Sequence, residues 1–240
     1  MAGASHGLQQ PYRYRAAGGA MAKLFRVIRN PPLRAGFECS SLFGSHFMQI
    51  TLVRHGRPDH GGAAWSTPAG MKTWVERYNA ANIVARERPD ALAQLARSSD
   101  VVVCSSLLRC VESRAHLGCE CQTEPDPLFA EAHLPYPNWA FPLMPSRFWR
   151  LTFRTAWFLG FSSHTEPVRV SRQRASAAAD RLVELAQTHG SVLLMGHKIM
   201  NALIASELRR RGWRGPAMPL LSGYWHPSRY RLASRKRADD

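Results

Sequence analysis

The stretch Ile50-Thr51-Leu52-Val53-Arg54-His55-Gly56 decides how this chain is read. A short aliphatic and β-branched run predicts a strand buried on both faces. It stops on a cation, an imidazole and a glycine. Glycine lets the backbone turn tightly or approach a ligand, and arginine offers a planar fork of donors suited to phosphate. A neutral histidine ring nitrogen can attack phosphorus at ordinary pH.

Two later segments repeat the pattern of apolar run followed by polar residues. Val101-Val102-Val103-Cys104 leads into Ser105-Ser106-Leu107-Leu108-Arg109, and Val192-Leu193-Leu194-Met195 leads into Gly196-His197. A helical pattern follows each, over Leu107 to Leu117 and Lys198 to Arg211. In open α/β sheets, ligands gather beyond the carboxyl ends of the strands, and nearby helix N-termini add N–H donors for an anion. Arg54, His55, Arg109 and His197 all fall at such ends. The convergent object is a phosphate pocket.

Leu52-Val53-Arg54-His55-Gly56, Ser105-Ser106-Leu107-Leu108-Arg109 and Gly196-His197 together resemble the signature of the histidine phosphatase superfamily, the phosphoglycerate-mutase-like proteins. The resemblance runs from about Met48 to Tyr230. It implies a three-layer α/β/α sandwich with a mostly parallel central sheet, and a metal-independent phosphomonoester hydrolase working through a phosphohistidine on His55. Arg54, Arg109 and His197 would hold the phosphoryl oxygens. In Phe129-Ala130-Glu131-Ala132-His133-Leu134-Pro135, Glu131 stands where the mutase-like branch carries its proton-donating glutamate. The acid-phosphatase branch places an aspartate after the second histidine; Lys198 occupies that place and argues against it. Arg57 and Lys198, unusual neighbours of the motifs, are further candidates for substrate binding.

Three readings of this site are kept. A hydrolase is the simplest, because the residues after Gly56 lack the small polar residue and asparagine of true mutases. A phosphotransferase of the mutase kind is the alternative, and a catalytically silent protein that binds a phosphorylated ligand is the rival from another class. No cofactor is implied, and the histidines show no metal-ligand spacing.

Composition fits an enzyme domain with a sizeable core. The 240 residues carry 32 Lys and Arg against 17 Asp and Glu, a net charge of +15. Such a field concentrates phosphorylated substrates; no motif for specific nucleic-acid binding is present. Five cysteines form no disulfide framework and no zinc pattern, which predicts a cytoplasmic protein. The expected partner is a phosphorylated small molecule, with a phosphoprotein as alternative and a homodimer as a further expectation.

Residues 1–47 precede the first strand and predict a basic, disordered extension, with Met21 and Met48 as alternative starts; residues 233–240 predict a frayed tail. The catalytic domain is expected over 48–232. Helical spacing marks Met71 to Asn82, Asp90 to Arg97, and Val168 to His189 with a stop at Gly190. Tyr224 to Leu232 is expected to add one edge strand. The insertion at 135–165 is the most individual part: Tyr136, Trp139, Phe141, Phe148, Trp149, Phe153, Trp157, Phe158 and Phe161 interleave with Arg147, Arg150 and Arg154. It reads as helices packed on the domain or in a dimer seam, as a lid over the pocket, or as an interfacial helix touching anionic lipid through 147–161.

Overall fold

The structure is a computed structural model, described here for residues 48–232 apart from 62–64, 85, 87–88, 120–122 and 218–222. The extension at 1–47 and the tail at 233–240 lie outside the described residues. Strand β1 (Gln49–Arg54) is central, β2 (Trp65–Ser66) lies apart, and helices α1 (Met71–Ala80) and α2 (Asp90–Arg97) follow. Then come β3 (Val101–Cys104), α3 (Leu108–His116), β4 (Met144–Pro145) and α4 (Ser146–Phe158). The chain closes with α5 (Val168–His189), β5 (Ser191–Gly196), α6 (Lys198–Arg210), β6 (Trp213–Arg214) and β7 (Pro227–Leu232).

The main sheet has the order β3-β5-β1-β7-β6. The three apolar runs expected as strands are its parallel part, with β5 between β1 and β3. Register decides where their polar followers go: Arg54 lies opposite Gly196, and Cys104 lies opposite Met195. The three strands therefore finish level, and the next residues, His55, Ser105 and His197, emerge at one end of the sheet. Hydrogen bonds from His55 N to Gly196 O (3.0 Å) and from Ser105 N to Met195 O (3.1 Å) extend the pairing past the strand ends.

Alternation along the strands makes two cores. Ile50, Leu52, Val101, Val103, Val192 and Leu194 point to the face covered by α5 and α6, where Ala175, Ala178, Ala179 and Leu182 bring α5 close. Val53, Val102, Cys104, Leu193 and Met195 point to the other face, against Leu92, Ala93 and Ala96 of α2 and Cys110 of α3. Helices on both faces of a mostly parallel sheet give the expected three-layer sandwich. Helix α5 spans the predicted residues and stops at Gly190, whose φ of 97° suits glycine.

One expectation about the sheet is corrected. Strand β7 is not an edge strand: it pairs antiparallel with β1 on one side and with β6 on the other. The edge is β6, a two-residue strand anchored by buried Trp213. Two residues carry no readable alternation, so periodicity points past it.

Residues 131–143 have no regular secondary structure, and the insertion holds one helix rather than a pair. Trp149, Phe153 and Trp157, spaced by one helical turn each, form its buried face. Two of these rings tie the helix down by their indole N–H groups, Trp149 to Ser66 O (2.8 Å) and Trp157 to Glu166 O (2.9 Å). The β2–β4 pair anchors its start. Among the described residues no helix is long and apolar enough to cross a membrane.

Candidate active site

His55 and His197 meet at the strand ends, with ring centroids 5.1 Å apart and both rings buried. The His55 Nδ1–H donates to its neighbour's carbonyl, Gly56 O, at 2.7 Å. That bond fixes the tautomer and leaves Nε2 as the free lone pair, which accepts from Arg109 Nε at 3.2 Å. Burial above all, then the charges of Arg109 and Arg54, hold the His55 imidazole well below the ordinary histidine range, against an opposing effect of the Gly56 bond. His55 is thus neutral at physiological pH, as a nucleophile must be.

Gly56 is required by what stands over it. A Cβ there would lie 2.3 Å from the Trp225 ring, and the Gly56 N–H donates to Ser113 Oγ at 2.8 Å. Ser113 in turn donates to Arg109 O, one helical turn back (2.6 Å). The start of α3 and the turn after β1 are locked together, so Arg109 and His55 are held in one frame.

Arg109 is 1% exposed, yet no carboxylate binds it among the described residues. Its guanidinium donates to Asn79 Oδ1 (3.0 Å) as well as to His55, and lies 4.9 Å from the Tyr78 ring centre. Arg54 stacks on Tyr224 at 3.8 Å, and its Nε is buried without a hydrogen-bond partner. A buried cation facing neutral groups is costly unless an anion completes it. The buried Arg109 and the half-buried Arg54 beside a neutral imidazole describe an anion site.

His197 contacts Ser105 Oγ (2.8 Å) and Cys110 Sγ (3.3 Å) through Nε2. Burial, then Arg109 and His55, push its imidazole well below the ordinary range too. Burial also drives the Cys110 thiol far above its usual range, so it stays a neutral neighbour.

Glu131 has a double position. Its carboxylate accepts from the backbone N–H groups of Met200 (2.9 Å), Ile199 (3.2 Å) and Ala132 (3.1 Å), which makes it the cap of α6. It also lines a cavity of about 550 Å³. Arg54, Arg109 and Lys198 line the same cavity, opposite Arg150 and Arg154 of α4. The two buried imidazoles do not themselves line the cavity; His55 is in contact with Arg109, which does.

Of the sequence candidates, Arg54, His55, Arg109, His197, Glu131 and Lys198 are brought together. Arg57 is not: it is exposed and away from the cavity wall, because its carbonyl accepts from Val84 N (2.8 Å) and the chain turns aside there. Sequence reasoning missed Ser105, Cys110, Asn79, Tyr78 and Tyr224. Cys110 and Ser113 had a usable signal, since they lie one and four residues after Arg109 on a helix that begins at the motif. Tyr78 and Asn79 had none. Among the described residues no cluster of three or more His, Cys, Asp or Glu has metal-binding geometry.

No protein-family model matches the sequence, and no curated protein matches it. Solved structures do. The chain is similar to a mycobacterial protein described as hydrolase 1, at 18% identity over 76% of this chain and 88% of the other, with a TM-score of 0.50. It is also similar to a mycobacterial glucosyl-3-phosphoglycerate phosphatase (17% identity, 76% and 89% covered, TM-score 0.49). A third is the alpha-ribazole phosphatase of Shigella flexneri (19%, 67% and 79%, TM-score 0.44). The chain therefore shares the α/β fold of the hydrolase 1 structure, with Arg54, His55, Arg109 and His197 at the carboxyl end of its parallel strands.

Proposed function

We propose that this chain is a phosphomonoester hydrolase that works through a phosphohistidine on His55. The observation that carries the reading is the neutral His55 ring, with Nδ1 spent on Gly56 and Nε2 against Arg109, which like Arg54 has no carboxylate partner among the described residues. A phosphoryl dianion entering the cavity draws Arg109 off Nε2 and onto its own oxygens, which both neutralises the anion and uncovers the nucleophile. His55 Nε2 then attacks phosphorus, the N–P bond forms and the ester P–O bond breaks. Preorganised charge from Arg54 and Arg109, with the neutral His197 as a polar neighbour, stabilises the transition state.

Glu131 supplies the proton to the departing oxygen and takes one from the water that next attacks phosphorus. That water breaks the N–P bond, releases phosphate and restores His55. No metal enters these steps. For the acid role, one Glu131 oxygen must turn from the α6 backbone toward the leaving group in the cavity that Glu131 lines. The cavity volume, about 550 Å³, suits a small molecule better than a folded phosphoprotein. The five cysteines, whose spacing forms no disulfide framework, agree with a cytoplasmic setting.

The test is hydrolysis of p-nitrophenyl phosphate in EDTA, wild type against His55→Ala. The expected result is turnover in the wild type, loss of at least about a thousand-fold in the variant, and an acid-labile, base-stable phosphoenzyme. Activity that survives the substitution, or that needs added metal, overturns the mechanism. Arg109 over Nε2 also fits a silent protein that only binds phosphate esters; binding by a folded wild type without any turnover would establish that reading instead.

A further inference from the structure

The segment between Glu131 and Glu166 carries an imbalance that the phosphoryl chemistry leaves unused. Residues 132–165 include Arg147, Arg150 and Arg154 but no Asp or Glu. Ten large apolar side chains are exposed among the described residues, and seven of them, from Trp139 to Leu159, belong to this segment. An eighth, Trp65, lies on β2 opposite Pro145 of β4, next to the start of α4. Exposed apolar surface is thus gathered in one region rather than scattered.

Two stretches build the face. Residues 138–143 are exposed without a break and present Trp139, Phe141 and Leu143. The Trp139 carbonyl accepts from Ala69 N (3.0 Å), which fixes this stretch beside the chain that leads from β2 into α1. On α4, Phe148, Leu151 and Phe158 stand at helical spacing, on the side turned away from buried Trp149, Phe153 and Trp157. Arg147 is exposed in the first helical turn, where a cation opposes the helix dipole. Its place there comes at a cost to its own helix. Leu151 and Phe158 also line the cavity, so the face runs to the cavity mouth.

Exposed apolar surface of this kind marks a contact with protein or with membrane, and charge decides which. A two-fold seam between copies would set the arginines of one segment against those of the other, with no carboxylate in either segment to pair them. The extension at 1–47 is no better a complement, since it brings six basic residues and one acid. An anionic bilayer supplies both an apolar interior and the missing negative charge. We infer that this face, Trp65, Trp139, Phe141 and Leu143 with Arg147 and Phe148 of α4, is a docking surface for an anionic lipid bilayer. Its rings enter the boundary between headgroups and acyl chains, and its arginine stays among the lipid phosphates. Bound in this way, the chain presents its cavity mouth to the membrane surface. None of these six residues lines the cavity, so the surface stands whether or not His55 carries a phosphoryl group.

The experiment sediments the full chain with vesicles of phosphatidylcholine alone and of phosphatidylcholine with about 30% phosphatidylserine. The wild type is expected to partition onto the anionic vesicles about ten-fold more strongly or better. A chain of net charge +15 can reach such vesicles through charge alone, so the deciding variant keeps its charge. Phe141→Ser/Leu143→Ser should lower the anionic partition coefficient about ten-fold or more, and Arg147→Gln about five-fold. Vesicles with brominated acyl chains should quench the indole fluorescence of the wild type. Trp65→Phe/Trp139→Phe should remove most of that quenching, because Trp149, Trp157, Trp213 and Trp225 are buried. All these side chains are exposed, so circular dichroism and melting temperature should match the wild type. No binding to anionic vesicles, binding that the Phe141/Leu143 variant retains, or quenching that survives the tryptophan variant overturns the surface. So does a dimer in analytical ultracentrifugation that the Phe141/Leu143 variant dissolves while vesicles capture nothing; the face would then be a seam between copies.

Discussion

Two sides of one cavity are built in opposite ways. At the strand ends, His55, Arg109 and His197 are each at most 2% exposed and are locked by bonds that span 54 to 92 residues of sequence. Across the cavity, the wall given by α4 shows Leu151 at 71% and Phe158 at 40% exposure, on a helix held by its buried Trp149, Phe153 and Trp157 face and by Arg154, which donates to Ala132 O. The difference teaches a division of labour. Chemistry needs fixed distances, and level strand ends supply them; selection needs a surface that can differ without disturbing the sheet. A side chain on the α4 wall can be exchanged at little cost, whereas one at the strand ends is coupled to everything that holds His55.

The sharpest way to break this division is through Glu131, which belongs to both sides. It sits on the cavity wall, caps α6 with two accepted hydrogen bonds and accepts a third from Ala132 N. If it moves the proton, Glu131→Gln should cost about 10² to 10⁴ in kcat on alkyl phosphates, whose alkoxide cannot leave unprotonated. Loss on p-nitrophenyl phosphate should be much smaller, because its leaving group departs as a stable anion. Glutamine retains an oxygen for the α6 N–H groups, so melting temperatures of the two proteins should differ little. Equal losses on both substrate types would return Glu131 to a purely structural role and leave the acid to be found elsewhere.

Much of the strand-end side is legible in the amino-acid sequence itself. Apolar runs that stop abruptly on Arg54-His55 and Gly196-His197 announce buried strands with chemistry at their ends, and register does the rest. Helix α5 is readable to its last residue because Gly190 closes it. The α4 side is not. Its aromatics give helical spacing and so the buried Trp149, Phe153 and Trp157 face, but nothing local says which arginines look into the cavity. Arg150 and Arg154 do, whereas Arg147 does not reach it. Arg57 misleads for the same reason: adjacency to His55 in sequence suggests adjacency in space, and the pairing of its backbone with Val84 decides otherwise. Tyr78 and Asn79 reach Arg109 from a separate helix, a contact that only the tertiary fold creates.

The sealed character of the strand ends predicts a pH dependence of stability. Both imidazoles are buried and held well below the ordinary histidine value, whereas in the unfolded chain they titrate near 6.5. Below that pH the unfolded state binds protons that the native state refuses, so unfolding is favoured as pH falls. Each imidazole contributes a slope approaching about 1.4 kcal/mol per pH unit. Unfolding free energies measured by denaturant titration at pH 7.5, 6.5 and 5.5 should therefore drop between the last two by about 2 kcal/mol from this pair. Substituting both, as His55→Gln/His197→Gln, should flatten the profile over the same range. A wild-type profile no steeper than the variant's would show that the imidazoles are open to protons, contrary to the contrast drawn with the α4 wall.

The smallest expected effect tests that wall from the other direction. Leu151 shares α4 with Trp157, which is fully buried and anchored to Glu166 O, but Leu151 stands 71% exposed and turned outward over the cavity. Little apolar area is removed from water at Leu151, so Leu151→Asn should change unfolding free energy by no more than about 0.5 kcal/mol. Its effect should appear in substrate choice: KM for esters with a large apolar leaving portion should rise by a few-fold, about what partial burial of one aliphatic side chain is worth, with kcat conserved. A stability loss of several kcal/mol would mean that Leu151 is covered in the working protein, by a second copy of the chain or another partner. The α4 wall would then be an interface, and the cavity would be bounded by more than this chain supplies.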